Sequence, residues 1–129
     1  RTEASLWNSL RRALGTTPRQ IQLTRIESWA TPGVPDILAC DERGNFSFLE
    51  LKILTKRGKM RLSPHQVAWI TRHKHASVFI VGVRHADGLD VYSASQAVEI
   101  ASGREVSPIA AFTAGNWAAF FDFVFPTEE

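Results

Sequence analysis

The stretch Phe46-Ser47-Phe48-Leu49-Glu50-Leu51-Lys52-Ile53 constrains the fold more than any other part of the chain. It reads as a core strand, yet it carries two charges, Glu50 and Lys52. Charges inside such a strand are costly unless they are paired or bind a metal. Before it comes Asp41-Glu42-Arg43-Gly44-Asn45, which has turn chemistry, and before that an apolar-rich strand over residues 36–40. The two strands and the turn form a β-hairpin. A three-residue loop Glu42-Arg43-Gly44 puts Gly44 at the left-handed position that such loops favour. With Arg43 at the tip, Asp41 faces Asn45, Leu38 faces Phe48, and Asp36 faces Glu50. Directly opposed residues have Cβ atoms about 4.5–5.5 Å apart. Two carboxylates therefore share one face of the sheet, and Lys52, two residues beyond Glu50, lies on that face too. A divalent cation would remove the conflict between like charges. Carboxylates, a backbone carbonyl and water are the donors that Mg²⁺ or Mn²⁺ prefers. The plainer alternative is an ordinary ion pair between Lys52 and either acid, or an exposed strand end.

The segments around this hairpin set the fold class. Residues 2–14 read as an amphipathic helix, with Leu6, Leu10 and Leu14 one turn apart, Thr2 as N-cap and Gly15 as stop. Residues 21–26 alternate and read as a strand. Residues 29–35 hold Thr31-Pro32-Gly33-Val34-Pro35 and must be loop, since prolines cannot donate to a ladder. Residues 56–61 form a basic loop. Ser63 then caps, and Pro64 opens, a helix running to about residue 75. Val78–Val83 reads as a buried strand, residues 85–89 as a turn, 90–93 as a further strand and 95–101 as a helix. Residues 117–121 read as helical. This order predicts an α/β fold with a mixed sheet flanked by helices. At 129 residues, without repeats or a long linker, one domain over residues 1–129 is expected.

Several function classes are disfavoured. The longest apolar or glycine run, Val78–Val83, is far short of the roughly 20 residues that span a bilayer. No membrane partner is expected, and a cytoplasmic protein is the default. The lone Cys40 excludes an internal disulfide and a multi-cysteine zinc site. No Gly-x-x-x-x-Gly-Lys loop is present, so no nucleotide cofactor is expected. His73 and His75 point to different faces of their helix and do not form a metal-binding pair. The net charge of +2 conceals a division: residues 1–75 carry thirteen Lys/Arg against six Asp/Glu, and residues 76–129 carry two against seven. A basic half of this kind suits a polyanionic partner.

Gly33-Val34-Pro35-Asp36, then Glu50-Leu51-Lys52, then Ser63-Pro64-His65-Gln66 resembles the PD-(D/E)XK nuclease superfamily. It looks most like the VRR-NUC branch and phage or archaeal Holliday junction resolvases. The resemblance runs from about Glu3 to Val83. It implies a restriction-endonuclease-like core and a metal-dependent endodeoxyribonuclease, most closely a Holliday junction resolvase. Other nicking, flap or restriction-type nucleases are the alternative, as is a non-catalytic DNA-binding module that keeps the fold. Carried over by position, Asp36 and Glu50 would hold Mg²⁺ or Mn²⁺, with the carbonyl of Leu51 as a further ligand. Lys52 would orient the attacking water and offset transition-state charge. Gln66 would help place water, Lys52 or a phosphate. A further glutamate on the first helix is matched by Glu3, with Glu27 as its rival.

DNA contact is expected from Lys56, Arg57, Lys59 and Arg61, with Arg11, Arg12, Arg19 and Arg25 extending the track. Such charges bind phosphates with little sequence preference. The C-terminal segment, 106–129, holds six of the thirteen aromatics: Phe112, Trp117, Phe120, Phe121, Phe123 and Phe125. They either cap the core or form the interface of a homodimer. The second reading agrees with the resemblance, because one site cuts one strand and symmetric cleavage of a four-way junction needs two.

Overall fold

A computed structural model of the chain describes residues 2–27, 30–84, 88–113 and 115–127, and of Glu3 only the backbone. The described elements are α1 (Glu3–Leu14), β1 (Gln22–Arg25), β2 (Ile37–Cys40), β3 (Phe46–Ile53), α2 (Pro64–Arg72), β4 (Val78–Val83), β5 (Leu89–Ser93), a 3-10 turn (Ala94–Gln96) running into α3 (Ala97–Ala101), β6 (Ala110–Phe112) and α4 (Trp117–Val124). The strands form one six-stranded sheet in the order β1-β2-β3-β4-β5-β6. Only β3 and β4 run parallel, joined by the crossover through α2. The other neighbours are antiparallel. The fold is α/β with a mixed sheet.

The hairpin takes the expected register. Ile37 pairs with Leu49, Leu38 with Phe48, Ala39 with Ser47 and Cys40 with Phe46. Gly44 has φ +82°. The buried Asp41 carboxylate organises the turn by accepting from the Arg43 N–H at 3.0 Å and the Asn45 N–H at 2.8 Å.

Strand alternation divides the core between the two faces of the sheet. On one face α1 and α4 bury Leu6, Leu10, Phe120 and Phe121 against Ile37, Leu49, Leu51 and Val81. On the other face α2 and α3 bury Trp69, Ile70, Ala97 and Ile100 against Val78, Ile80 and Tyr92. Phe48 meets the Trp69 ring edge-on at 5.1 Å. Phe48, Glu50 and Lys52 therefore all face α2.

Both long N-terminal helices start as their sequences demand. Thr2 and Ser5 form a capping box at α1, and Ser63 and Gln66 form another at α2, where Pro64 costs no hydrogen bond. α2 ends at Arg72, short of residue 75. His73 is its C-cap, stacked on Trp69 at 3.8 Å with Nδ1 2.7 Å from the Trp69 carbonyl oxygen. β2 starts at Ile37 rather than Asp36, and β5 starts at Leu89. Most of the turn expected over 85–89 lies outside the described residues. The helix expected over 95–101 is split between the 3-10 turn and α3. Strand β6 was not expected: Ala110-Ala111-Phe112 is too short to carry a periodic signal, and its pairing with β5 makes it a strand. Of the C-terminal aromatics, Trp117, Phe120, Phe121 and Phe125 are buried. Phe123 is partly exposed, with its ring edge-on to Phe79 and Phe112.

Candidate active site

Glu50 is the most unusual residue of the site. It lies mid-strand in β3, and only 1% of it is exposed. Phe48 and Lys52 flank it on the same face, and Ile80 is its parallel partner on β4. Its Oε2 accepts a hydrogen bond from Gln66 Nε2 at 3.3 Å. The Lys52 ammonium lies 4.0 Å from the same oxygen. The three residues converge because two elements meet there. β3 supplies Glu50 and Lys52 by its two-residue repeat, and the first turn of α2 supplies Gln66.

Gln66 is fixed from both sides. Its backbone N–H donates to Ser63 Oγ at 3.1 Å, and its Oε1 accepts from the Ser63 N–H at 2.9 Å. That capping box leaves the amide nitrogen aimed at Glu50. The sequence therefore uses one glutamine both to start a helix and to hold a buried carboxylate.

Asp36 is the residue before β2, on the Glu50 face by the hairpin register. Its carboxylate takes a role that sequence reasoning did not foresee: Oδ2 accepts from the Leu51 N–H at 3.2 Å. The ladder explains this. The Phe48 N–H donates to Ser77 on the β4 side, so by alternation the Leu51 N–H points toward β2. There β2 has already ended, and the Asp36 carboxylate takes the donor. N–H and C=O of one strand residue leave on the same side, so the Leu51 carbonyl also points toward Asp36. The Asp36 backbone is anchored in turn, because its carbonyl accepts from the Ile26 N–H at 2.7 Å.

This donor set fits a hard divalent cation. Mg²⁺ commonly uses one or two carboxylates and completes its shell with water and substrate oxygens. Asp36, Glu50 and the Leu51 carbonyl are donors of that chemical type. Among the described residues there is no group of three or more His, Cys, Asp or Glu that could hold a metal ion, so any cation here would depend on water and substrate oxygens for most of its shell. The side chain of Glu3 lies outside the described residues, and Glu27 is exposed.

The basic residues separate into two groups. Lys56, Arg57, Lys59 and Arg61 are exposed on the loop between β3 and α2, the two elements that carry the site. The loop is ordered by its own turn, in which the Thr55 N–H donates to the Lys59 carbonyl at 2.8 Å. The Lys59 ammonium also reaches the Gly103 carbonyl at 3.1 Å. The remaining arginines do not extend this track. Arg11 and Arg12 end α1, on the opposite face of the sheet. Arg25 pairs with Ile37 on that same opposite face, and its guanidinium lies 5.8 Å from the Trp7 ring centroid. Arg19 is a structural clamp. It donates to the carbonyls of Phe121 at 3.2 Å and Phe125 at 2.7 Å, and it pairs with Glu42 and Asp122. Its hydrogen bond to Glu42 holds the guanidinium above its ordinary pKa. Nothing local in the sequence marks that role, since the carbonyl partners lie about a hundred residues away.

No protein-family model matches the chain, and neither does any curated protein. Among solved structures the chain is similar to Hjc, a Holliday junction resolvase from the archaeal hyperthermophile Archaeoglobus fulgidus, with 18% sequence identity and a TM-score of 0.42 over 73% of this chain and 77% of that one.

Proposed function

We propose that this chain is a metal-dependent endodeoxyribonuclease that hydrolyses phosphodiester bonds in branched DNA, with four-way junctions as its substrate. The observation that carries the proposal is Glu50. A carboxylate is held inside the sheet, in register with Asp36, between a lysine and a glutamine supplied by another element. Burying a charge there has a cost, and apolar residues of similar size would often serve stability as well or better. Chemistry is the reason to keep it.

Asp36, Glu50 and the Leu51 carbonyl would hold Mg²⁺ or Mn²⁺. Such an ion supplies a lowered pKa for bound water and neutralises charge on the phosphoryl oxygens. Lys52, with its side-chain nitrogen 4.0 Å from Glu50, would orient the attacking water and offset charge building on the phosphate. Gln66 fixes the rotamer of Glu50. The loop with Lys56, Arg57 and Arg61 binds phosphates on either side of the cut. Since one such site cuts one strand, paired incision of a junction requires two protomers, and we propose a homodimer as the active form.

The test is incubation with labelled four-way junctions, flaps and linear duplex in Mg²⁺ or Mn²⁺, with Asp36→Ala as control. Paired symmetric cuts in the junction, absent in Asp36→Ala, are expected. Cuts in flaps or linear duplex alone would move the assignment to another nuclease type. Junction binding in EDTA without turnover in metal would leave a DNA-binding module. Cleavage unchanged in Asp36→Ala would overturn the proposal.

A further inference from the structure

Five of the described glycines have positive φ, and one of them differs from the rest. Gly33 has φ +89°, and a Cβ there would lie 2.2 Å from the His65 carbonyl oxygen, 2.3 Å from the His65 carbonyl carbon and 2.8 Å from the Gln66 nitrogen. Gly44, with φ +82°, has nothing within 4 Å of the same position. Gly44 needs only the backbone freedom of glycine. Gly33 needs that freedom and also the missing side chain, because its Cα rests on the peptide group joining His65 to Gln66.

That peptide group belongs to the residue that holds Glu50. Gly33 is also only three residues before Asp36, so the connecting chain spans at most about 10 Å. Pro35, buried and restricted in φ, stiffens the link. Asp36 is then fixed by two hydrogen bonds that it accepts, one at its carbonyl from the Ile26 N–H and one at its carboxylate from the Leu51 N–H. A chain of direct contacts therefore runs from Asp36 through Gly33 to Gln66 and on to Glu50.

We infer that Gly33 is a positioning residue that seats the Asp36 loop on the first turn of α2, so that Asp36 and the Gln66–Glu50 pair are held in one fixed relation. This rests on the proposed nuclease reading for its consequence, but not for its geometry. No flexible side chain can yield at the contact, since the atoms it meets are backbone. Any L side chain at position 33 must lift the loop by about 1 Å to restore ordinary van der Waals distances. A misplacement of that size can cost about 100-fold in rate.

The experiment compares the full chain with Gly33→Ala and Gly44→Ala. Both variants place alanine at positive φ, so both lose thermal stability, and only the first meets a backbone contact. Two quantities are read: kcat and KM on a cleaved DNA substrate, and the Gln66 side-chain amide cross-peaks in a ¹⁵N–¹H spectrum, assigned by their loss in Gln66→Ala. Gly33→Ala should lower kcat by about 100-fold with KM for DNA little changed, and should shift the Gln66 peaks. Gly44→Ala should leave kcat and the peaks as in the parent. Equal kcat losses in the two variants, or a kcat loss in Gly33→Ala with the Gln66 peaks unmoved, would overturn the inference. If the parent chain cuts no DNA, the nuclease reading fails and the Gln66 peaks decide alone: a shift specific to Gly33→Ala supports the contact, and no shift overturns it. If Gly33→Ala does not fold, Pro35→Ala loosens the same loop without adding an atom at the contact. A Gln66 shift in that variant then supports the coupling, and unmoved Gln66 peaks overturn it.

Discussion

Lys52, Gln66 and Asp36 each contribute to the site through a different property. Lys52 contributes charge, Gln66 contributes geometry, and Asp36 contributes a carboxylate at a strand end that has run out of ladder partners. Glu50 is the least favourable of the four to bury, because it is a carboxylate at 1% exposure. Its replacement by the neutral isostere should separate stability from function. Glu50→Gln keeps the shape and an oxygen for the Gln66 hydrogen bond, so it is expected to change Tm only slightly, with relief of a buried carboxylate set against loss of its pairing with Lys52. It is also expected to lose detectable cleavage. Thermal denaturation followed by circular dichroism, beside the junction assay, checks both halves, and a marked fall in Tm would show that Glu50 is structural. Lys52 should behave differently. Its removal in Lys52→Ala takes away a preorganised charge, whose loss typically costs about 10²–10³ in kcat. It leaves the carboxylate pair intact, so KM for DNA should change little. Steady-state kinetics at saturating metal distinguishes this from a binding defect, in which KM would rise and kcat would hold.

At the scale of elements, the hairpin was legible because two independent signals agreed. The turn residues fixed Gly44 at the left-handed position, and the alternation of apolar residues fixed the register, which the pairing of Ile37 with Leu49 and Leu38 with Phe48 reproduces. The caps of α1 and α2 were legible for the same reason, since capping chemistry is local. What could not be read depends on tertiary partners. β6 is a strand only through β5. Arg19 and Arg25 carry the same charge as the loop lysines, but whether a charge faces the site is set by packing across the sheet. The Arg19 clamp ties the hairpin turn to the C-terminal helix, and it makes a prediction about acid. Burial pushes the Asp41 carboxyl up, but hydrogen bonds from Asn45 and Arg43 outweigh it, and the net pKa lies below the ordinary value. The Arg19 hydrogen bond likewise holds Glu42 below the usual carboxylate range. Groups depressed in the folded state add stability that is complete above the ordinary carboxylate pKa of about 4. That stability is lost as pH falls through the depressed folded values. Tm should therefore be flat with respect to these two groups above about pH 5 and should drop below it. Asp41→Asn should be less stable at neutral pH and should show a shallower drop in acid, as measured by Tm across a pH series. An acid limb unchanged in Asp41→Asn would remove the turn carboxylate from this account.

At the scale of the whole molecule, the small net charge is a sum over regions with different work. Asp90 of the acidic half is engaged by Arg84, and Asp122 of that half is engaged by Arg19 from the basic half. Part of the acidic excess is thus neutralised within the fold. The loop cations Lys56, Arg57 and Arg61 are exposed instead, next to the elements that carry Glu50, Lys52 and Gln66. Arg11, Arg12 and Arg25 belong to the opposite face and are expected to contribute far less to the same bound DNA. This division predicts a graded salt dependence. Removing one cation that neutralises a phosphate should reduce the slope of log K against log salt by about 0.9 on duplex arms. Neutralising Lys56, Arg57 and Arg61 together as glutamines should lower the slope by roughly two to three and weaken binding of all DNA shapes alike. Neutralising Arg11 and Arg12 should leave the slope nearly unchanged. Fluorescence anisotropy with a labelled junction, in Ca²⁺ or EDTA so that no strand is cut, measures both across a salt series. A larger change from the α1 pair than from the loop triple would place the DNA on the other face of the sheet, away from Glu50, and would separate binding from the proposed catalytic site.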